Sequence, residues 1–490
     1  MFYKKDVYSM IKKHKKIVFF NIISSYLLTG ATLNTPLNPL PSHIFNEKKY
    51  LDLLFAHNSA TTTFIPCSIS NSTKMPMALQ SDGCIIVATP SAKPGRFTLI
   101  RYLATGQIDK SFGQKNDLPT QVACINFPLA NKNAADTITA LTIQNDGKIV
   151  MVGQSQSDAT CSLVLARFTT NGTLDTTFGK VGTPQAGTQS IDFSIGGANI
   201  DKATCIAIQS DGKIIVGGTS TTANSTTRFF LARFNSNGTL DTSFGKVKTP
   251  QAGTQCLNFS LAGGKNDTAT AVAVQQDGKI ILSGHSATQS SFFHAGETRF
   301  SLARFTKDGT LDTTFGRIKT PQAGTQCLTF CIMPGATNDT STTLTIQQDG
   351  KIIMGGSSGN PGSLVRFATA HFALARFNQD GTLDTTFGKT ETAQAGTQFI
   401  DFTSQTNSFD IPSTLALQAD GKILMGGLTC PAYSYLYPSH FAIARFNQDG
   451  TLDTTFNETG TQLIGLPLTS GKFNLADAIV LQSKGGILTN

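Results

Sequence analysis

Short apolar runs separated by polar turns recur from about residue 41 to the end of the chain. One unit reads Ala271-Val-Ala-Val-Gln-Gln-Asp-Gly-Lys-Ile-Ile-Leu-Ser-Gly284, two apolar runs flanking Asp-Gly. Such a pair predicts a β-hairpin, because the turn needs positive φ and glycine accepts it without strain. The Asp-Gly turns begin at Asp82, Asp146, Asp211, Asp277, Asp349 and Asp420, with a degenerate seventh at Lys484-Gly485. A second landmark is an apolar run followed by a Leu-Asp-Thr-Thr-Phe turn, as in Phe300-Ser-Leu-Ala-Arg-Phe-Thr-Lys-Asp-Gly-Thr-Leu-Asp-Thr-Thr-Phe-Gly316. Its aspartate falls at Asp109, Asp175, Asp241, Asp312, Asp384 and Asp453, and a further strand follows, for example Thr325-Gln-Cys-Leu-Thr-Phe330.

Each period of about 65 to 70 residues thus supplies four short strands, A to D in chain order. Four antiparallel strands per repeat predict an all-β fold, a β-propeller with one repeat per blade. The ends indicate how it closes. Ile44-Phe-Asn-Glu-Lys-Lys-Tyr-Leu-Asp-Leu-Leu-Phe55 aligns without a gap on Arg445-Phe-Asn-Gln-Asp-Gly-Thr-Leu-Asp-Thr-Thr-Phe456, so the chain enters on strands C and D. It leaves at Ala478-Ile-Val-Leu-Gln-Ser-Lys-Gly-Gly-Ile-Leu488, on strands A and B. Seven blades follow, six continuous and one composite blade shared by the termini, over residues 41–490. A shared blade leaves no half-blade edge open at the closure.

These repeats resemble the delta-60 repeat family of β-propellers, on the motifs Leu-Ala-Arg-Phe, Asn-Gly-Thr-Leu-Asp-Thr-Ser-Phe-Gly and Gln-Ser-Asp-Gly-Lys-Ile-Ile-Val-Gly-Gly. The resemblance covers nearly everything from residue 41 onward. It implies a propeller, usually an exported bacterial protein, and carries no known activity. The chain departs from the pattern by inserting Thr-Pro-Gln-Ala-Gly-Thr-Gln at Thr183, Thr249 and Thr320, with a variant at Thr392.

Composition changes the picture in three places. The chain is Gly-rich (45 of 490 residues), only 14% charged and lacks Trp, which suits strands and turns. Its net charge of +8 is concentrated before residue 17, in Lys4, Lys5, Lys12, Lys13, Lys15 and Lys16, and no basic stripe follows, which argues against a nucleic-acid partner. That basic segment, an apolar stretch from Ile17 to Leu28 and Thr29-Gly30-Ala31 together read as an export signal over residues 1–31. An uncleaved membrane anchor is the alternative, and no other stretch is long enough to span a bilayer. Nine cysteines do not form a disulfide framework: Cys124, Cys256 and Cys327 hold matching places in different repeats, and most of the nine read as small apolar residues.

Four sets of recurring side chains are candidates for a role. Strand C carries Arg101, Arg167, Arg233, Arg304, Arg376 and Arg445, each eight residues before the turn aspartate, which predicts a structural Arg–carboxylate clamp. Gln80, Gln144, Gln209, Gln275, Gln347, Gln418 and Gln482 end strand A and are expected to hydrogen-bond between blades. At the other end of strand A stand Asp136, Asp201, Asp267, Asp339 and Asp410. These either cap backbone amides or form an acidic ring able to attract a cation or basic partner. The fourth set is aromatic. In an up-and-down blade the A–B and C–D turns share one face, and the divergent B–C and D–A connections share the other. Phe292, Phe293, Tyr433, Tyr435 and Tyr437 lie in the divergent segments and are the candidate partner contacts.

No catalytic constellation stands out. The seven histidines show no zinc-ligand spacing, His371 and His440 precede strand C at matched positions, and no Asp-x-Asp-x-Asp-Gly calcium loop occurs. No cofactor is expected. The sequence therefore favours an exported binding or scaffold module for a protein or glycan. A polysaccharide hydrolase or lyase using the acidic ring, and a purely structural surface protein, are the alternatives.

Overall fold

A computed structural model describes residues 76–90, 96–104, 107–113, 123–126, 135–156, 161–183, 185–191, 197–245, 252–259, 266–287, 297–316, 323–330, 338–360, 369–389, 394–402, 408–431, 440–465, 479–481 and 487–489. Every regular element among them is a strand. The first sheet is β1 (Met77–Leu79), β2 (Ile85–Pro90), β3 (Arg96–Tyr102) and β4 (Ala123–Asn126), paired antiparallel in that order. The same succession recurs in β5 (Ala135–Ile143), β6 (Ile149–Gln156), β7 (Cys161–Phe168) and β8 (Thr188–Ile191). It recurs in β9 (Gly197–Ile208), β10 (Ile214–Thr222), β11 (Thr227–Phe234) and β12 (Thr254–Leu257). Next come β13 (Asn266–Val274), β14 (Ile280–Ala287), β15 (Thr298–Phe305) and β16 (Thr325–Leu328). Then follow β17 (Asn338–Ile346), β18 (Ile352–Asn360), β19 (Thr369–Phe377) and β20 (Thr397–Ile400). The last full set is β21 (Ser408–Leu417), β22 (Ile423–Pro431), β23 (His440–Phe446) and β24 (Thr461–Gly465), after which β25 (Ile479–Leu481) pairs with β26 (Ile487–Thr489). The expected succession of A-to-D strands is therefore present. His371 and His440 lie within strand C rather than ahead of it.

The second and third strands of each repeat are apolar on both faces, because both faces are covered by neighbouring sheets. Val150 and Val152 of β6, and Leu163 and Leu165 of β7, pack against Ile214 and Val216 of β10 and Phe230, Ala232 and Phe234 of β11. Ile215, between Ile214 and Val216, turns the other way and packs with Ile280, Leu282 and Ala303 of the following repeat. The middle sheets therefore each contribute to two core layers, while the first and last full sets also hold clusters of their own, around Ile85, Val87 and Tyr102 and around Leu424, Phe441 and Ile443. First strands are half-exposed along most of their length, as in β13 and β17.

Every first strand of β5, β9, β13, β17 and β21 carries a β-bulge, which the alternation of residues does not reveal. The registers skip Thr139, Thr204, Thr270, Thr342 and Ser413, one extra residue per repeat. Their hydroxyls donate to carbonyls of the second strand at Val152, Gly217, Ser283, Gly355 and Gly426, at 3.3 to 3.4 Å. The bulge pushes a first-strand carbonyl toward the second strand, where glycine makes room. A Cβ on Gly284 would stand 1.9 Å from the Thr268 carbonyl oxygen.

Candidate functional site

The two ends of each repeat are built differently. At the end holding the Asp-Gly and Leu-Asp turns, the predicted clamp is present: Nε of Arg167, Arg233, Arg304, Arg376 and Arg445 donates to Oδ2 of the aspartate eight residues on, at 2.6 to 2.9 Å. Only one carboxylate oxygen takes the arginine; the other accepts the hydroxyl and backbone N–H of the residue two positions on, as Thr314 does for Asp312. A lysine of the A–B turn reaches the same carboxylate, with Lys213 2.8 Å from Asp241 and Lys351 2.9 Å from Asp384. Both turns of a repeat therefore meet at one end. Burial alone pushes Asp175 and Asp312 up, but these hydrogen bonds and cations outweigh it and hold both carboxyls at about 2.

The clamp also reaches the next repeat. Arg304 Nη1 donates to the Gln379 carbonyl and Arg376 Nη1 to that of Gln448, each at 2.7 Å. Each guanidinium lies 4.6 to 4.8 Å from the ring centre of its own turn phenylalanine, such as Phe315 under Arg304. That ring in turn covers Gly381 of the following repeat, where a Cβ would stand 2.6 Å from it. Strand-A glutamines contribute less than expected, through long bonds of 3.4 to 3.5 Å from Gln80, Gln144 and Gln209 to backbone carbonyls of the next repeat. The inserted motif acquires a structural account here. Its glycine, for example Gly253, donates its N–H to the Phe244 carbonyl and accepts from the Arg233 N–H, returning the chain to strand D.

At the opposite end stand the strand-A aspartates. Asp267 and Asp339 are 1% and 0% exposed. One oxygen of Asp267 accepts the Phe259 N–H at 2.9 Å and the other accepts the Ser286 hydroxyl; Asp339 does the same with Phe330 and Ser358. Each thus folds back the connection from the preceding strand D, whose phenylalanine packs edge-on against a strand-C phenylalanine at 4.6 to 4.7 Å. Asp201 and Asp410 are also buried, opposite Ser220 and Thr429 on the second strand. Asp136 pairs with Ser155, and its side chain lies outside the described residues. Burial raises Asp267 and pushes Asp339 up to about 6, against the opposing pull of the Ser and backbone hydrogen bonds.

Strand C places a further residue at this end, which the sequence reading did not weigh as a set. Five positions before each clamp arginine stand Arg96, Ser162, Arg228, Arg299, His371 and His440. The third strand runs one step parallel to the next repeat's first strand, with Thr227 opposite Asn266 and Thr298 opposite Asn338. Arg299 so placed lowers the Asp339 carboxyl, though less than burial raises it. In the last such junction His371 Nδ1 lies 3.5 Å from Asp410 Oδ2 and 4.0 Å from Asp401 Oδ1. The sequence offset from the clamp arginine is the signal that would have found the set.

Phe292, Phe293, Tyr433, Tyr435 and Tyr437 lie outside the described residues, as do residues 1–31 and 44–55. Among the described residues, Cys84, Cys161, Cys205, Cys256 and Cys327 are not joined in disulfides, and no helix is long and apolar enough to cross a membrane.

A family described as "Domain of unknown function (DUF5122) beta-propeller" matches residues 144–178, 209–244, 275–315, 347–387 and 418–456. Each match runs from the strand-A glutamine to the turn phenylalanine, and together they support a β-propeller family. No curated protein matches the chain in sequence. Among solved structures, an ulvan lyase, a polysaccharide lyase bound to a GlcA–Rha3S repeat, is 10% identical at a TM-score of 0.41, covering 81% of this chain and 84% of that one. A protein of unknown function from Dyadobacter fermentans is 12% identical (TM-score 0.39; 72% and 89% covered), and Drosophila Plexin A in complex with Semaphorin 1b is 11% identical (TM-score 0.38; 85% and 82% covered).

Proposed function

We propose that this β-propeller is an exported binding scaffold of seven four-stranded blades that recognises a protein or glycan through its B–C and D–A connections. The observation that carries the reading is an asymmetry of the repeats. Connections at the clamped end hold their length across the middle repeats: five residues join strands A and B in all six full repeats, and 19 join C and D in the four middle ones (169–187, 235–253, 306–324, 378–396), against 20 in the first (103–122) and 14 in the last (447–460). At the other end the B–C connection ranges from four residues (223–226) to ten (288–297), and the D–A connection from five (192–196) to 13 (466–478). A constant frame with variable loops at one end is how recognition surfaces are carried on rigid folds.

Closure into seven blades is supported by the neighbours of the last hairpin. Successive first strands lie side by side from β1 to β21, and β25 lies against both β21 and β1. Residues 44–55 would then complete the seventh blade, in keeping with the delta-60 resemblance. Export rests on the basic and apolar leader of residues 1–31. Binding is favoured over acid–base chemistry because Asp267 and Asp339 are sealed from solvent and occupied by backbone amides and serines.

The test is direct binding of the full chain to an array of glycans and surface proteins, with Phe293→Ser, Tyr435→Ser and Asp267→Asn compared. The expected result is a captured ligand whose affinity falls about tenfold or more in the two loop variants and is retained in Asp267→Asn. Capture that survives both loop changes, or that is lost only on changing Asp267, overturns the reading.

A further inference from the structure

We propose that His371, Asp401 and Asp410 form a binding site for a divalent transition-metal ion, of which Zn²⁺ is the representative. The three come from different elements: His371 from β19, Asp401 from the residue after β20, and Asp410 from β21 of the next repeat. Their ligand atoms all lie within 4.8 Å of one another. His371 Nδ1 stands 3.5 Å from one carboxylate oxygen and 4.0 Å from the other. Ligands about 2.0 to 2.2 Å from a tetrahedral zinc ion are separated by about 3.3 Å, so the His371–Asp410 pair already stands near bonding separation and the Asp401 carboxylate must swing inward by about 1 Å or more. An imidazole with two carboxylates is a donor set that suits first-row divalent ions.

Comparison with the sibling repeats supplies the second argument. The equivalents of His371, Asp401 and Asp410 are Arg228, Asn258 and Asp267 in one repeat, and Arg299, Thr329 and Asp339 in the next. There an arginine accompanies a single buried carboxylate, which is occupied by a serine hydroxyl and a backbone N–H. At the third junction the guanidinium is replaced by an imidazole, which binds metals as the neutral ring, and a second carboxylate is added. The third junction thus gathers three metal-ligating side chains where each sibling offers a single carboxylate. Asp410 is 0% and the His371 side chain 4% exposed, while the Asp401 side chain is 31% exposed. The site is thus anchored inside and opens to solvent through Asp401, which gives an ion its path in. No sequence spacing announces the site, because its ligands are set by strand pairing.

Bound there, the ion would tie the third strand of one repeat to the first strand of the next. Three protein ligands also leave a coordination position for water or an oxygen ligand.

The test uses two substitutions that the fold already accepts in sibling repeats, Asp401→Asn and His371→Arg. The chelator-stripped full chain is titrated with ZnCl₂ by calorimetry, with bound zinc per chain measured after dialysis and thermal melts recorded with and without zinc. The expected result is one zinc per chain in the native protein and a Tm that rises on loading. Asp401→Asn should bind at least tenfold more weakly, and His371→Arg should bind none at this site. Both metal-free variants should melt within a few degrees of the metal-free native chain, which separates ligand loss from misfolding. No saturable binding at the first equivalent, or equal binding and an equal Tm rise in both variants, overturns the proposal.

Discussion

Asp339 and Asp312 are both buried carboxylates, and their surroundings send them in opposite directions. Asp312 has an arginine, a lysine, a threonine hydroxyl and a backbone N–H around it, and its carboxyl is held at about 2. Its contribution to stability is present above the ordinary carboxyl range and is lost as pH falls toward 2. Asp339 has only Ser358, the Phe330 N–H and a distant Arg299 to offset burial, and its carboxyl is pushed up to about 6. The folded chain therefore holds that proton more tightly than the unfolded one. Its contribution is full below about pH 4 and is lost as pH rises through about 6. The separation between an ordinary carboxyl and about 6 corresponds to roughly 3 kcal/mol. Asp339→Asn should remove this dependence: urea midpoints of native and variant should converge near pH 4 and diverge in the variant's favour up to about pH 7. A difference that stays constant between pH 4 and 8 would refute it.

At the scale of elements, the recurring bulge in strand A decides where glycine is required. Gly284 faces the bulged carbonyl of Thr268, and an added Cβ would stand 1.9 Å from it and 2.9 Å from the Ala269 Cα, both backbone atoms that cannot swing aside. Gly284→Ala should cost about 2 to 4 kcal/mol, because the pairing of β13 with β14 must shift. Gly182 offers the contrast. It has a φ of +75° but nothing within 4 Å of a Cβ, so Gly182→Ala should cost only the left-handed backbone term, about 1 to 2 kcal/mol. Denaturant unfolding of the two variants measures the difference, and an equal cost would mean that the bulge relaxes freely.

At the scale of the whole molecule, stability is shared between neighbours. Core layers draw on two successive sheets, and the clamps of Arg101, Arg167, Arg233, Arg304 and Arg376 reach the next repeat's turn. The strand-A aspartates seal the opposite end of the same junctions. In such an array each unit is held mainly by its neighbours. The hairpin β25–β26, set against β21 and β1, is then the joint between the last full repeat and the first. Deleting residues 479–489 should lower Tm by more than 10 °C, on the order of several kcal/mol, and broaden the transition as the outer repeats unfold first. A deletion that leaves Tm and sharpness unchanged would show that β1 and β21 do not depend on this joint.

Much of the architecture was legible in the chain because its determinants are local. Asp-Gly at Asp277 dictates a hairpin by backbone conformation, Leu-Asp-Thr-Thr-Phe at Leu311 dictates another, and the eight-residue offset from Arg304 to Asp312 is fixed by the turn between them. The bulge at Thr270 was hidden, since one extra residue in a strand leaves the apolar pattern almost unchanged. The acidic positions at the end of strand A were visible, but their environment was not: Asp267 and Asp339 look alike as exposed ring members or as buried caps until the connection from strand D folds over them. The meeting of His371 with Asp401 and Asp410 was out of reach for the same reason. Those residues are 30 and 39 positions from the histidine and come together only through the one-step parallel pairing of β19 with β21, at Ala370 and Phe409. The sequence by itself determined the strands, the turns and the repeat, which depend on neighbouring residues. Only the tertiary structure decided which side chains meet at each junction and how deeply they are buried, because that depends on chain segments that pairing, not proximity in sequence, brings together.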